Sequence, residues 1–312
     1  ERVGTCLGVL CCHGGSPGGF CRGAGAGAGK GYVFLASSLA GQEHLNAADA
    51  DNIFYGRQPG GQAGYVCSAA GDVDGDGLSD ILMSARFEDA AEVDAGRTYV
   101  VLGRNLGEGA YQPMTGLDFF VEGEGEGDIC CDVAEFGDLD GDGRSDLLMG
   151  SHYNDSVERD GGAAYVILAS TVAQGGVLSL SQADHRMYGV MGGDETGHGV
   201  SGAGDLDGDG VIDLLVGAPG HTAGGNRPVP AAGRVYLVSG KDLLGQEEYP
   251  LQDSIQTFSS SRPLDLVGWG VDGGSDSDVN GDGVPDVFVG SANEDPDGIG
   301  RAHLFLTPTE SL

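Results

Sequence analysis

Four short segments of the chain carry acidic residues at a fixed spacing that suits the binding of a metal ion. Their sequences are DVDGDGLSD at residues 72–80, DLDGDGRSD at 138–146, DLDGDGVID at 205–213 and DVNGDGVPD at 278–286. Each segment places an oxygen-bearing side chain at positions 1, 3, 5 and 9 and glycine at positions 4 and 6, and each runs into a short apolar stretch. We therefore predict four equivalent metal loops, numbered 1 to 4 along the chain.

The donor atoms of these metal loops suit calcium. Ca²⁺ takes about 6 to 8 oxygen ligands, and glycine allows the sharp backbone turns that bring carboxylates together. We assign the side chains at positions 1, 3, 5 and 9 and the backbone carbonyl at position 7 as ligands. The predicted ligands are Asp72, Asp74, Asp76, Leu78 and Asp80; Asp138, Asp140, Asp142, Arg144 and Asp146; Asp205, Asp207, Asp209, Val211 and Asp213; and Asp278, Asn280, Asp282, Val284 and Asp286.

Two other interpretations of the metal loops fit the sequence less well. An EF-hand requires a glutamate at position 12, which is Met83, Met149, Val216 or Val289 here. A plain hydrophilic turn is the second interpretation, because Asp and Gly favour turns. Carboxylates at this density repel one another unless a cation is present. We therefore predict one calcium ion for each of the four loops.

The composition is that of an acidic chain with many tight turns. The 312 residues include 60 glycines without a collagen period, and the formal net charge is −33. This charge disfavours nucleic acids and anionic membranes as partners. No apolar run approaches the roughly 20 residues of a transmembrane helix, and no signal peptide is visible. The composition therefore predicts a secreted, extracellular or cell-surface protein that does not insert into a membrane.

The cysteines point to the same oxidising compartment. They are Cys6, Cys11, Cys12, Cys21, Cys67, Cys130 and Cys131. Their spacing does not match the paired knuckles of zinc sites, so we favour disulfides over a metal. Seven is an odd number, so at least one cysteine is free or bonded to another chain. Asn154-Asp-Ser156 is a glycosylation sequon, which matters only for a secreted chain.

A repeat of 66 to 71 residues organises the chain after a glycine- and cysteine-rich tail at residues 1–30. Its clearest marker is an apolar strand centred on Tyr32, Tyr99, Tyr165, Tyr236 and His303. Within each repeat we predict a first strand before the metal loop, a second strand after it, and the marker strand third. A fourth strand is predicted near residues 52–55, 118–121, 186–190 and 264–267. Four-stranded sheets repeated around an axis form a β-propeller.

The order of these motifs resembles the FG-GAP repeat of the integrin α-chain propeller. The third repeat is the most similar, with His198-Gly199 near the Phe-Gly position and Gly217-Ala-Pro219 intact. Elsewhere the motif departs, because Trp269-Gly270 stands for Phe-Gly and Ser84-Ala-Arg86 stands for Gly-Ala-Pro. The resemblance covers residues 31–307 and implies a calcium-binding extracellular propeller. An integrin's ligand does not follow from it, because the inserted metal-dependent domain is absent and integrin propellers have seven blades.

The strand count predicts an all-β propeller of four blades, each with four antiparallel strands and one calcium loop. In this scheme the strand at residues 52–56 completes the last blade, which ends at Leu306, and so closes the ring between the two termini. The strand at residues 31–36 is then unmatched. It is an extra edge, a relic of a lost blade or a strand donated to a neighbouring molecule, because open edges template pairing.

We predict a non-enzymatic, calcium-stabilised structural or adhesive module that self-assembles into oligomers or fibres through its N-terminal strand. Its partners are then other copies of the chain or extracellular proteins and glycans. The alternative is a monomeric propeller that binds a protein or a carbohydrate in the manner of an integrin or a lectin. A hydrolase is the weakest hypothesis, because the seven histidines form no recognisable catalytic motif.

Overall fold

The computed structural model describes residues 8–12, 26–39, 44–107, 112–114, 119–130, 132–224, 228–274, 277–293 and 300–307. Nearly all regular structure in these residues is β-strand. The described α-helices are single turns, Ala36–Leu39 (α1), Ala169–Val172 (α2) and Gly240–Leu244 (α3). Short 3₁₀ segments lie at Ala47–Asp49, Gly103–Asn105, Leu180–Gln182 and Leu251–Asp253. Within the described residues, no helix has the length and apolar character needed to cross a membrane.

The described strands form five sheets. Sheet 1 contains β1 (Gly8–Cys12), β2 (Lys30–Phe34), β3 (Asn52–Tyr55) and β7 (Gln112–Pro113). Sheet 2 contains β4 (Ala63–Gly71), β5 (Asp80–Ala85), β6 (Arg97–Val101), β8 (Phe119–Glu122) and β12 (Gly176–Ser179). Sheet 3 contains β9 (Asp132–Gly137), β10 (Asp146–Ser151), β11 (Ala163–Ile167), β13 (His185–Tyr188) and β17 (Glu248–Pro250). Sheet 4 contains β14 (Val200–Gly204), β15 (Asp213–Ala218), β16 (Arg234–Val238) and β18 (Gln256–Ser259), and sheet 5 contains β19 (Val267–Asp272), β20 (Val287–Ser291) and β21 (Arg301–Phe305).

The second and third strands of sheets 2 to 4 are apolar on both faces because both faces are covered. Every residue of β5, β10 and β15 is buried. The marker tyrosines Tyr99 and Tyr165 are fully buried and pair in the same register, opposite Met83 and Met149. Continuous apolar runs of this length are typical of strands buried on both faces. Each repeat therefore folds into one blade-like sheet whose centre lies between two neighbours.

Consecutive sheets pack face to face. One apolar cluster fills each interface: Phe54 and Met83 lie between sheets 1 and 2, Leu147 and Tyr165 between sheets 2 and 3, and similar clusters follow up to sheet 5. The first strands β4, β9, β14 and β19 line a groove of about 510 Å³ on the inner side. This arrangement, in which sheets radiate from their first strands, is that of a β-propeller.

The second residue of each metal loop anchors the loop to the following sheet. Val73 is fully buried in the cluster between sheets 2 and 3, and Leu139 and Leu206 occupy the same place at the next two interfaces. Val279, the equivalent residue of loop 4, is 56% exposed. No further sheet follows sheet 5 among the described residues. The burial of this position therefore depends on the neighbouring sheet and not on the loop itself.

The connections between third and fourth strands reach back to the preceding sheet. Strand β12 lies in the connection of sheet 3 and pairs in parallel with β8 of sheet 2. In the same way β17 of the sheet 4 connection pairs with β13, and β7 of the sheet 2 connection pairs with β3. Sequence reasoning did not find these strands. They cover edges that would otherwise expose unpaired backbone groups.

The predicted four-blade closure is wrong. Strand β3 does not complete the last sheet: it pairs antiparallel with β2, opposite Tyr32 and its neighbours. On its other side β2 pairs with β1, so the strand predicted at residues 31–36 is an interior strand of sheet 1 and is not unmatched. Residues 8–12 of the predicted tail supply that partner. The described chain therefore has five sheets where the sequence predicted four. In the described part of the chain, no strand pair joins sheet 5 to sheet 1.

One predicted fourth strand also lies in the wrong place. The fourth strand of sheet 4 is β18 at residues 256–259, whereas residues 264–266 belong to the connection that leads into sheet 5 and Val267 begins β19. Leu264 and Leu266 have φ values of +64° and +57°. A β-strand requires negative φ, so this stretch forms a tight turn despite its apolar residues.

The two ends of the sheets carry different connections. Because neighbouring strands are antiparallel, the metal loops between first and second strands lie at one end, which we call the metal end. The hairpins between second and third strands lie at the opposite end, for example at residues 86–96 and 152–162. The connections from one sheet to the next return to this opposite end as well. The fold therefore separates the metal loops from a second set of loops.

Candidate metal centres

Each metal loop is wrapped around the aspartate at position 1. In loop 1, Asp72 Oδ1 accepts hydrogen bonds from the N–H groups of Gly75 (2.8 Å) and Asp76 (3.0 Å), and Oδ2 accepts one from Gly77 (2.8 Å). Gly75 and Gly77 have φ values of +76° and +87°, which glycine adopts without a steric cost. The same three bonds recur in loops 2 and 4. In loop 3, Asp205 accepts from the N–H groups of Asp209 and Gly210. The sequence therefore fixes the loop conformation through its own hydrogen bonds.

The aspartate at position 9 connects the metal loop to the end of the third strand. Asp80 is fully buried; its Oδ2 accepts from Val73 N–H (2.9 Å) and its Oδ1 from Gly103 N–H (2.7 Å). The equivalent carboxylates accept from the equivalent donors, including Thr307 in sheet 5. Two backbone donors hold each carboxylate in one orientation. They leave lone pairs free, because an ionised carboxylate offers about four acceptor positions.

The structure brings together three of the predicted side-chain ligands in each of the first three loops. Carboxylate oxygens at positions 1, 3 and 9 lie within 4.8 Å of one another in loops 1, 2 and 3. These groups are Asp72, Asp74 and Asp80; Asp138, Asp140 and Asp146; and Asp205, Asp207 and Asp213. All donors are hard oxygens, the type that binds Ca²⁺ and Mg²⁺ in preference to Zn²⁺.

Loop 4 and the fifth position differ from this group. Asn280 replaces the aspartate at position 3 of loop 4, although its Oδ1 accepts from Asp282 N–H at 2.8 Å as the position-3 aspartates do in the other loops. The position-5 carboxylates do not join the converging oxygens. In loop 1, Asp76 Oδ1 instead accepts from Leu78 N–H at 2.9 Å. The predicted roles of position 5 and of the position-7 carbonyls therefore stay predictions.

The carboxylates at position 9 of loops 1 to 3 have raised pKa values. Burial raises the pKa of Asp80, Asp146 and Asp213 to about 6; backbone N–H donors oppose this shift, and neighbouring loop carboxylates add to it. A cation placed among these groups would favour their ionised forms. The loops therefore have the charge and the donor type that a calcium ion requires.

A basic side chain contacts each of the first three metal loops, which sequence reasoning missed. Arg104 pairs with Asp74, Arg144 pairs with Asp142, and Lys241 Nζ lies 3.7 Å from Asp209 Oδ2. The Arg144 guanidinium lowers the pKa of Asp142. Arg104 and Lys241 follow a glycine just after the third strand, in LGRN and VSGKD. A glycine followed by a basic residue after the third strand is the sequence signal that could have revealed these two.

The opposite end of the sheets carries a row of aromatic and imidazole rings. Trp269 is 47% exposed, and its ring centroid lies 4.2 Å from that of His198. The ring centroids of His198 and His152 are 4.8 Å apart, and those of His152 and Tyr153 are 4.4 Å apart. His152 Nδ1 is 3.0 Å from Asp132 Oδ2. Burial lowers the pKa of His198, so this row contains a neutral imidazole at neutral pH.

The structure tests the predictions for two of the cysteines and describes the surroundings of the sequon asparagine. Cys130 is a free, fully buried thiol whose pKa burial raises to about 12. Cys67 is disulfide-bonded, and its partner is not among the described side chains. The remaining pairing stays a prediction, because Cys6, Cys21 and Cys131 lie outside the described residues. Asn154 is 2% exposed, and its Nδ2 donates to Asp128 Oδ2 at 3.0 Å and Glu124 Oε2 at 3.2 Å.

The family comparison agrees with this architecture. The FG-GAP repeat model matches residues 68–101, 134–167 and 196–238. Integrin alpha pat-2 of Caenorhabditis briggsae is 29% identical over 287 residues, covering 89% of this chain and 21% of the relative. Integrin alpha-5 of Xenopus laevis is 31% identical over 188 residues, covering 56% and 17%. The chain thus spans about a fifth of the length of these relatives. Three stretches of the chain thus match the FG-GAP repeat, and the chain is similar to integrin α-chains in this region.

Proposed function

We propose that the chain is a non-enzymatic, calcium-stabilised β-propeller module that binds a partner at the outside of the cell. The observation that carries this proposal is the convergence of carboxylates in successive metal loops at one end of successive sheets. The similarity to integrin α-chains supports an adhesive role and an extracellular or cell-surface location. The ligands proposed for each ion are the five positions assigned from the sequence, with one ion in each of the four loops.

Calcium fits the metal loops better than magnesium. Mg²⁺ demands near-ideal octahedral geometry and keeps several of its waters, whereas Ca²⁺ accepts many protein oxygens in flexible arrangements. Three carboxylates converge within each of loops 1 to 3. The positive-φ glycines, such as Gly141 and Gly143, let the remaining donors approach. In this proposal the ion supplies positive charge that relieves repulsion among buried carboxylates, and thereby stabilises the sheets that hold them.

The partner is proposed to bind at the opposite end of the sheets. Exposed apolar side chains gather there, and they are Val93, Val157, Val190, Met191, Leu264 and Trp269. The loops that present them contain non-glycine residues at positive φ, such as Asp94, Asp160 and Glu195. Backbone hydrogen bonds hold these loops to one another, for example Gly127 N–H to Val93 C=O at 3.0 Å. Strained but well-bonded loops are common at binding sites.

An extracellular protein is the proposed class of partner. A glycan is the alternative, and the exposed ring of Trp269 is the feature that favours it. Self-association remains a prediction, but the basis first given for it is lost, because β2 is paired on both sides. A monomeric mass in calcium at high protein concentration would remove self-association from the candidates.

The calcium proposal is tested by titrating the purified, metal-stripped chain in a calorimeter. The expected result is up to four bound ions with dissociation constants of about 0.1 to 1 mM, the range of extracellular modules. Saturation of one site at ten times its dissociation constant adds about 1.4 kcal/mol to the free energy of unfolding. Failure to bind calcium at millimolar concentration, or an unchanged melting temperature in chelator, would overturn the proposal.

The binding face is tested by the attachment of cells to a surface coated with the protein. The variant Trp269→Ala at the opposite end is compared with Val279→Ala, which changes an exposed residue at the metal end that is not an assigned ligand. Loss of attachment in Trp269→Ala but not in Val279→Ala is expected. Equal attachment to the two variants, or attachment that is insensitive to chelator, would contradict the assigned face.

A further inference from the structure

The metal loops contact one another across the sheet interfaces. In loop 2, Ser145 N–H donates to the backbone carbonyl of Asp72 in loop 1 at 2.9 Å. At the following interfaces the position-8 side chains make apolar contacts: Ile212 Cδ1 lies 3.2 Å from where a Cβ on Gly137 would be, and Pro285 packs against Gly204. A backbone hydrogen bond between neighbouring loops is therefore present between loops 1 and 2 and at no later interface in the described structure.

The donor of this hydrogen bond belongs to a peptide group that loop 2 also needs. The carbonyl of Arg144 is the assigned position-7 ligand of loop 2, and the N–H of the same peptide group is that of Ser145. In a planar trans peptide the C=O and the N–H point in opposite directions. One rigid group thus has its N–H directed at loop 1, while its C=O is available on the side of loop 2.

The acceptor lies at the centre of loop 1. Asp72 is the residue whose carboxylate accepts the N–H groups of Gly75, Asp76 and Gly77. The side chain of Arg144 adds a second contact, because its Cδ lies 3.2 Å from where a Cβ on Gly75 would be. The same residue pairs with Asp142 of its own loop. Loop 2 therefore holds both the first and the fourth position of loop 1.

We propose that loops 1 and 2 bind calcium cooperatively and that the peptide group between Arg144 and Ser145 is the link. The inference rests on the proposed calcium binding. It adds the claim that the sites of loops 1 and 2 fill together. An ion-bound carbonyl polarises its amide, which strengthens the N–H donated to Asp72. Fixing this peptide group also removes freedom that loop 1 would otherwise lose on binding. By linkage, each loop raises the affinity of the other by the same factor.

Loops 3 and 4 supply an internal contrast. Pro285 occupies position 8 of loop 4 and has no N–H, so it cannot donate to the carbonyl of Asp205. Position 7 is Val284 there, without a long side chain to reach loop 3. The link between loops 1 and 2 is thus a property of Arg144 and Ser145, and the pair formed by loops 3 and 4 is expected to bind its ions independently.

The test uses calorimetric titration of calcium into the full chain carrying Asp207→Ala and Asn280→Ala, which disable loops 3 and 4. The second ion is expected to bind about fivefold more tightly than the first. Ser145→Pro in this background is expected to abolish the difference, because it removes the N–H and keeps the Arg144 carbonyl. Ser145→Ala is the matched control, since it keeps the N–H and should retain the cooperativity. Proline at this position is compatible with the loop, as Pro285 shows.

A second measurement does not depend on proline. In the same background, Asp140→Ala disables loop 2 and Asp74→Ala disables loop 1, and the affinity of the remaining loop is measured in each. Both remaining loops are expected to lose about the same fivefold factor relative to the cooperative pair. Equal, independent affinities in the parent and no difference between Ser145→Pro and Ser145→Ala would overturn the inference while leaving calcium binding intact. Absence of any calcium heat would instead overturn the proposed function.

Discussion

The second residue of each metal loop offers a sharp test of how the sheets stabilise one another. Val73 and Val279 occupy the same position in loops 1 and 4 and have the same side chain. Val73 is fully buried against sheet 3, whereas Val279 is 56% exposed. Truncating both residues to alanine changes the same atoms in the same loop geometry. Only the environment supplied by the neighbouring sheet differs.

The cost of Val73→Ala follows from burial. Two buried carbon atoms at about 0.8 kcal/mol each give about 1.6 kcal/mol, and the cavity left in a close-packed cluster adds to this figure. We expect a loss of about 2 to 3 kcal/mol in the free energy of unfolding. Val279→Ala removes atoms that already contact water, so its effect should stay within about 0.5 kcal/mol.

The assay is thermal and urea unfolding of both variants in saturating calcium, followed by circular dichroism. A loss of about 2 kcal/mol corresponds to a fall in melting temperature of about 4 to 8 °C for a large domain. Val279→Ala should melt within about 2 °C of the parent on the same scale. Equal shifts in the two variants would refute the reasoning, because they would show that the loop and not the sheet interface determines the cost.

Three further predictions follow from single groups. In chelator, the raised pKa of Asp80, Asp146 and Asp213 means that the folded chain keeps protons that the unfolded chain releases, so stability should fall as pH rises from about 4 to about 6. Urea unfolding at both pH values checks this, and a rise in stability would contradict it. Asn154 should remain unglycosylated in a secretory host, because a glycan would replace its bonds to Asp128 and Glu124; a mass shift after deglycosylation that is lost in Asn154→Gln would disprove this. Cys130 should resist alkylation until the protein unfolds, because its thiol is fully buried; rapid labelling in native buffer would count against that burial.

The local parts of the fold were predictable because the repeat encodes them directly. The metal loops, the buried strand after each loop and the marker strands of Tyr99 and Tyr165 all depend on residues close in sequence. The glycines at positions 4 and 6 take the left-handed conformation that the pattern indicates. The convergence of positions 1, 3 and 9 also follows from this short-range pattern.

The pairing between distant segments was not predictable in the same way. Strand β1 lies in a glycine- and cysteine-rich stretch with no alternating pattern, so its pairing with β2 left no signal in the sequence. Strand β18 is largely exposed and reads as QTFS, whereas the apolar residues Leu264 and Leu266 lie in a turn at positive φ. The apolar pattern therefore predicted the wrong position for this strand, because the edge strand is polar and the connection after it is apolar. The predicted number of blades depended on the missed strand β1, because β1, β2 and β3 form a sheet of their own.

Because strands β7, β12 and β17 reach back to the preceding sheet, the sequence repeat and the complete sheet are not the same segment of the chain. A repeat of 66 to 71 residues is the length that gene duplication would copy, yet β12 and β17 complete sheets that belong to the repeat before their own. Cutting the chain at a repeat boundary would thus also remove the edge strand of the last sheet that is kept. Elongation by whole repeats, in contrast, supplies each earlier sheet with its missing edge. Strand pairing therefore couples each sheet to its neighbours in addition to the face-to-face packing, so neighbouring sheets are expected to unfold together.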